Sequence, residues 1–240
     1  MNEKYQENFR LRISDFDTFD HLTPHAVLDL FQDVAGKHAD LIGVGFDKMI
    51  KDNLIWVLLR TKYEVIKNPP LYSTVTVSTW PKEKGKIDFD REYVITDEKG
   101  EVLIKGISKW VVVNVATRHL SFTRNIQYTC DILDEENFPG TFRKIEDFSV
   151  EGFSAYEEKT TLSDLDHNGH VNNANYARFI LNAINLQKND EIADFEIDHI
   201  KELMPNSLIK IFYKRDGNVI MLKGFMEDGE VSFVSKITLR

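Results

Sequence analysis

The chain has 240 residues, of which 42% are apolar and 29% charged, and it carries a net charge of −9. That balance belongs to a soluble globular protein, and an acidic surface repels phosphate backbones and anionic lipid, so nucleic-acid and membrane-surface binding are not expected. The one cysteine, Cys130, excludes an intramolecular disulfide and a thiolate metal cluster. The longest apolar runs, Ile55–Leu59 and Trp110–Val113, fall far short of the ~18 residues a membrane span needs. The charged N-terminus shows no apolar signal region, and a cytoplasmic location is the expectation.

From the N-terminus, the first informative stretch is Ser14–Leu22, which reads Ser-Asp-Phe-Asp-Thr-Phe-Asp-His-Leu. Pro24 then suits a first helical turn, and Ala26, Val27, Leu30, Phe31 and Val34 follow at helical spacing. Strand patterns come next at Trp56–Ile66, Thr74–Trp80, Lys86–Thr96 and Glu101–Val115. They are broken by the turn chemistry of Asn68-Pro69-Pro70 and Asp97-Glu98-Lys99-Gly100. Gly43-Val-Gly45 follows a helix and not a strand, so it reads as a loop and no dinucleotide fingerprint. Pro139 to Ser154 lacks periodicity and reads as a linker.

Beyond it the pattern returns. Ser163–Val171 reads Ser-Asp-Leu-Asp-His-Asn-Gly-His-Val, which matches Asp15, Asp17 and His21 with Asp164, Asp166 and His170 without a gap. Asn172 and Asn173 are good N-caps for a second helix carrying Tyr176, Phe179, Ile180, Ala183 and Ile184. Strands follow at Phe195–Leu203, Leu208–Arg215, Asn218–Glu227 and Glu230–Leu239, and Gly100-Glu101-Val102 recurs as Gly229-Glu230-Val231. The chain is an internal duplication. Each half holds a strand, one apolar helix and a meander of four strands, which implies an α+β fold. A helix apolar around much of its circumference requires burial on more than one side, and a curved antiparallel sheet wrapped around it supplies that. The expected architecture is a double hot dog: residues 1–138 and 155–240 as the two repeats, with 139–154 as the linker.

The segment Asp164–Asn173 concentrates acid, amide and imidazole groups before the second helix. In the first copy Phe19 takes the position of Asn168, and Thr23-Pro24 replace Asn172-Asn173. A cluster whole in one half and diluted in the other indicates one working site and one relic. Capping accounts for Asn172 and Asn173. It does not account for Asp166, Asn168 and His170, whose alternate positions would share one side of an extended segment. A serine hydrolase elbow is absent. Asp164, Asp166, His167 and His170 could hold a metal only if the two imidazoles faced the same way, so no metal is expected. Cys130 has no nearby histidine and reads as an incidental thiol.

These residues resemble the acyl-acyl carrier protein thioesterases of plants and bacteria, over nearly the whole chain. Asn53–Val57 before Arg60, Ser78–Trp80, Lys109–Val111 and Thr117–Ser121 resemble the family's first half. Asp164-x-Asp-x-Asn-x-His-Val-Asn-Asn173 resembles its most specific motif. The resemblance implies a catalytic Asp166, Asn168 and His170, with Glu202 contributed by the following strand. Where many plant members carry a cysteine after that glutamate, this chain has Leu203, which argues against a thiol mechanism.

It further implies hydrolysis of a thioester without a cofactor, on an acyl chain linked through phosphopantetheine to acyl carrier protein, by a monomer or homodimer. Asp166 would serve as base or nucleophile. Backbone amides at Asn172–Ala174 would receive the oxyanion. An acyl-CoA thioesterase and a non-catalytic acyl-binding regulator are the alternatives. Because the carrier protein is acidic, a local basic patch is expected among Lys82, Lys84, Lys86, Arg118, Lys210, Lys214 and Arg215.

Overall fold

Two helices with matching entry signals organise the molecule. In the computed structural model, which describes residues 3–166 and 168–240, α1 (Pro24–Leu41) starts after Thr23, whose hydroxyl accepts the Ala26 N–H at 3.2 Å. The later helix, α3 (Asn173–Ala183), starts after Asn172, whose side-chain oxygen accepts the Ala174 N–H at 2.9 Å. Each cap satisfies one of the amides that a helix start leaves without a partner. A six-residue helix, α2 (Phe46–Lys51), lies between α1 and the first meander. It is too short to leave a periodic signal in the sequence.

The strands are β1 (Tyr5–Arg10), β2 (Leu54–Val65), β3 (Thr74–Pro81), β4 (Asp88–Thr96) and β5 (Val102–Asn114) in the first half. The second half holds β6 (Ser154–Lys159), β7 (Ile192–His199), β8 (Leu208–Asp216), β9 (Val219–Met226) and β10 (Val231–Leu239). They form one continuous ten-stranded antiparallel sheet in the order β1-β3-β4-β5-β2-β7-β10-β9-β8-β6. The two expected repeats are therefore joined edge to edge through β2 and β7, and each half repeats the other's strand order from that seam outward.

The seam is sealed on both faces. Inward, Tyr63 and Phe195 lie opposite each other with ring centroids 5.4 Å apart. Outward, Lys62 meets Glu196 at 3.0 Å and Arg60 meets Asp198 at 3.8 Å. Cross-strand pairs of these kinds contribute roughly 0.2–1 kcal/mol each. The irregular segment 126–153 passes over this outer face. The Phe142 carbonyl accepts from Arg60 at 3.4 Å, and the Ile145 N–H donates to Asp198 at 2.8 Å. The expected linker thus sits within a longer stretch free of helix and strand, and its last residue, Ser154, already belongs to β6.

Beneath the sheet, α1 and α3 pack side by side, with His25 Nε2 3.1 Å from Asn175 Oδ1. Buried Val27, Phe31 and Val34 of α1 and Tyr176, Phe179 and Ile180 of α3 share a single core with Tyr63, Phe195 and Ile197. No helix among the described residues is long and apolar enough to cross a membrane.

One strand departs from the sequence reading. β7 ends at His199 and does not run to Leu203. The Ile200 and Lys201 amides both turn to the Ser232 carbonyl, at 2.8 and 3.0 Å, and the chain peels away from the sheet. The first half does the same, with Ile66 and Lys67 both donating to the Leu103 carbonyl at 2.8 and 3.1 Å. These shared captures align the repeats residue by residue: Ile66 corresponds to Ile200, and therefore Val65 to His199 and Asn68 to Glu202.

Candidate active site

The stretch before α3 is a turn. Asp164 is buried, its carboxylate accepting the Thr161 N–H at 2.6 Å and pairing with Arg178. Asp15 plays the same part in the first half through the Arg12 N–H at 2.7 Å, so this first aspartate of the motif is structural in both copies.

Asp166 shapes the next loop. Its backbone N–H donates to the His170 carbonyl at 2.8 Å, while its Oδ1 accepts the amides of Asn168 at 2.8 Å and His170 at 3.2 Å. Gly169, with φ +80°, supplies the left-handed residue this closure needs. The expected extended segment with alternating side chains is therefore corrected. Asp166, Asn168 and His170 come together because the chain folds around the Asp166 carboxylate. The first repeat has the same turn: Asp17 Oδ1 accepts from Phe19 and His21 at 2.8 and 2.9 Å, and Asp20 takes the left-handed position with φ 65°.

With Oδ1 occupied by the backbone, Asp166 Oδ2 is left facing the Asn168 side-chain amide, whose nitrogen donates to it at 3.3 Å. His170 Nδ1 lies 3.6 Å from Glu202 Oε2, and both side chains are open to solvent. Glu202 is not contributed by a strand, as expected; it stands on the loop that follows β7. That loop is held by Tyr176, whose hydroxyl accepts the Leu203 N–H at 2.9 Å, and by the Val171 N–H donating to the Leu203 carbonyl at 3.2 Å. In the first half Asn68 occupies the glutamate's place, and His21 Nδ1 turns to its own Asp17 at 3.6 Å.

All four predicted site residues line one cavity of 570 Å³. The second repeat adds Asn173, Tyr176 and His199, and the first repeat supplies most of the apolar wall: Ala35, Gly36 and Ala39 of α1, Met49 of α2, Leu54–Leu59 of β2, and Phe89 and Trp110. The repeats differ in helix length where the cavity lies. α1 runs for 18 residues and α3 for 11, and the extra turns of α1 form the roof. At Gly36 an added Cβ would meet nothing within 4 Å.

Of the three amides expected to receive an oxyanion, two are already engaged. Asn172 N–H donates to the Asp164 carbonyl and Ala174 N–H to Asn172 Oδ1, both at 2.9 Å. Asn173, which lines the cavity, is left. Among the described residues no three His, Cys, Asp or Glu side chains group as a metal site; His167, weighed as a ligand, lies outside the described residues.

Cys130 stands apart from the cavity lining, and burial pushes its thiol above the ordinary range. Cys130→Ser is expected to leave turnover unchanged, and alkylation of the wild type should not abolish it. Both can be followed by hydrolysis assay before and after iodoacetamide.

Sequence reasoning missed His199. It faces inward at the end of β7, packs edge-on against Tyr176 with centroids 4.9 Å apart, and lines the cavity. Burial pushes its pKa down to about 4 from 6.5. Between those values the unfolded chain takes up a proton that the native imidazole refuses, so this group's stabilising effect is full above pH 6.5 and is lost as pH falls toward 4. Melting temperature measured from pH 7 to 4 should fall more steeply for the wild type than for His199→Val.

Comparison with known proteins bears on the family and the fold. The family model for the acyl-ACP thioesterase N-terminal domain matches residues 2–126, and that for the C-terminal domain matches residues 149–237. Oleoyl-acyl carrier protein thioesterase 2 of Arabidopsis thaliana is 28% identical over 229 residues, covering 85% of this chain and 61% of the relative. The acyl-[acyl-carrier-protein] hydrolase FATB3 of Cuphea viscosissima is 25% identical over 226 residues, covering 86% and 53%. The chain thus spans only about half to three-fifths of the length of these chloroplastic relatives. Among solved structures, the acyl-ACP thioesterase of Bacteroides thetaiotaomicron superposes with a TM-score of 0.87 at 24% identity, covering 100% of this chain and 98% of that one. The 12:0-ACP thioesterase of Umbellularia californica gives 0.84 at 21%, covering 99% and 97%. At those identities the likeness is one of fold, the double hot dog. With a family model matched to each of its halves, the chain belongs to the acyl-ACP thioesterase family.

Proposed function

We propose that this protein hydrolyses acyl thioesters carried on acyl carrier protein and releases the free fatty acid. The observation that carries the reading is the convergence of Asp166, Asn168, His170 and Glu202 on the mouth of an apolar cavity large enough for an acyl chain. The second repeat supplies the reacting groups, and the first supplies the wall against which the chain lies.

A thioester is already activated, so the site has to deliver water and hold negative charge. Asp166 Oδ2 takes a proton from water, whose oxygen bonds to the thioester carbon. Asn168 steers that carboxylate. As the tetrahedral adduct collapses the carbon–sulfur bond breaks, and the departing thiolate takes a proton from His170, which Glu202 orients. The proton held by Asp166 then returns to His170 and restores the site, so that in sum water and thioester become carboxylic acid and thiol.

For the carrier, the expected basic patch is narrower than its sequence candidates. Lys82 is tied to Glu136 at 2.8 Å, Arg215 to Asp190 at 2.8 Å and Lys210 to Glu157 at 3.6 Å, while Lys84 donates to the Ile126 carbonyl at 2.7 Å. Lys214 lies over the Phe153 ring. Lys86 and Arg118 have no ion-pair partner among the described residues and are the best placed to meet acidic side chains.

The test is a chain-length series on both carriers. Hydrolysis of acyl-ACP should exceed that of acyl-CoA and weaken with salt, because surface attraction is screened beyond about 8–10 Å at physiological ionic strength. Equal or faster turnover of acyl-CoA at low salt would assign the protein to the CoA carrier.

A further inference from the structure

Gln32 lines the cavity from the first repeat, and the residue that matches it in the second is Leu181. The pairing follows from the ungapped alignment of Asp17 with Asp166, which also sets His25 against Ala174, Ala26 against Asn175 and Asp29 against Arg178. Leu181 has an equivalent setting: it lines a smaller cavity of 240 Å³ beside Asp17, His21 and Asn68. One cavity thus has an amide where the other has an isobutyl group, and the amide belongs to the cavity with the intact set of reacting groups.

The amide is held from behind. Its Nε2 donates to Asp29 Oδ1 at 2.8 Å, and Asp29 Oδ2 lies 3.5 Å from His25 Nδ1. His25 Nε2 is 3.1 Å from Asn175 Oδ1, and Asn175 Nδ2 donates to the Asp164 carbonyl at 2.9 Å. A chain of polar groups therefore runs from Gln32, across the contact between α1 and α3, to the turn that carries Asp166. Around the smaller cavity no such chain can form, because Leu181, Ala174 and Ala26 have no polar side-chain atoms and Arg178 is tied to Asp164. With Nε2 spent on Asp29, Oε1 is the free end of the amide. It accepts from no described residue, and unlike the His199 nitrogens it is not sealed from solvent.

We propose that Gln32 orients the attacking water: Oε1 accepts one of its hydrogens while Asp166 Oδ2 takes the other, which turns a lone pair of the water oxygen toward the thioester carbon. This rests on the hydrolase reading above. An amide suits the task, since its oxygen accepts a hydrogen bond without taking the proton, so the transfer goes to Asp166 alone. The hydrogen held by Gln32 stays on the oxygen and becomes the hydroxyl hydrogen of the released acid. Asp29 lies outside the cavity lining and is a positioning residue, acting through Gln32.

The experiment compares Gln32→Met, which keeps the length of the side chain and removes the acceptor, with Asp29→Ala and with the double variant, on acyl-ACP of one chain length. A reacting group misplaced by about 1 Å costs about 10²-fold. Gln32→Met should lower kcat on that scale with KM and melting temperature little changed. Asp29→Ala should lower kcat by less, again with KM little changed. The double variant should be no slower than Gln32→Met, since both changes act through one amide. The proposal is overturned if kcat of Gln32→Met stays within about threefold of the wild type, or if the loss appears in KM or melting temperature instead. It is equally overturned if Asp29→Ala leaves kcat unchanged, or if the two single losses multiply in the double variant. Asp166→Asn assayed alongside separates the two readings: should that variant keep full activity, the hydrolytic site itself is misassigned, whatever Gln32 does.

Discussion

Asp166→Asn is expected to lower kcat by about 10²–10⁴-fold, the range for loss of a general base, with the fold intact. The substitution is chosen because Asp166 has two jobs carried by different oxygens. Oδ1 closes the turn by accepting the Asn168 and His170 amides. An asparagine keeps that oxygen and replaces the other with an amide that cannot take a proton. Asp166→Ala would remove both and confuse a lost turn with a lost base. The matched control is Asp17→Asn in the first repeat, where the same turn carries Phe19 in place of Asn168 and Asn68 stands in place of Glu202. Turnover there should remain near wild type. Steady-state kinetics with circular dichroism on both variants decides the matter: equal losses from both positions would remove the one-site reading.

The second large effect concerns which acyl chains fit. Gly36→Leu places four carbons into the cavity at a point where an added Cβ meets nothing within 4 Å. If they displace about four methylenes of a long acyl chain, at about 0.8 kcal/mol each, the loss is about 3 kcal/mol, or roughly 10²-fold in kcat/KM for long substrates. Short chains that do not reach the leucine should be hydrolysed as before. Stability should move the opposite way, because a glycine inside a helix costs up to about 1 kcal/mol relative to a good helix former. A chain-length profile that shifts downward while the melting temperature rises is the expected pair of results. A uniform loss across all lengths would mean that Gly36 does not border the acyl path.

Much of this architecture was legible in the sequence because it is written twice. The match of Asp15, Asp17 and His21 to Asp164, Asp166 and His170 exposed the duplication, and helical spacing after Pro24 and Asn172 located both helices. What escaped left little or no local signature. The turn around Asp166 rests on backbone bonds from residues two and four ahead to one side-chain oxygen, and of the sequence only Gly169, at the left-handed position, hints at it. The end of β7 is set by the Ser232 carbonyl on another strand, which moved Glu202 from strand to loop. His199 resembles any inward-facing core residue until its nitrogens are seen to lack partners. The cavity is walled by residues from both repeats, and no single stretch of sequence betrays it.

The unequal helices have a consequence for how such a protein can change. Two identical hot dogs facing each other would be bound by symmetry: every residue would have to serve in both places at once, as wall in one site and as reagent in the other. Joined in one chain they are free of that constraint. Here one repeat carries the 18-residue helix with Asn68, and the other the 11-residue helix with Glu202. On the function proposed above, a change of acyl length falls on α1, α2 and β2 without touching Asp166, His170 or Glu202, and substitutions in the loop near Asp17 carry little chemical penalty.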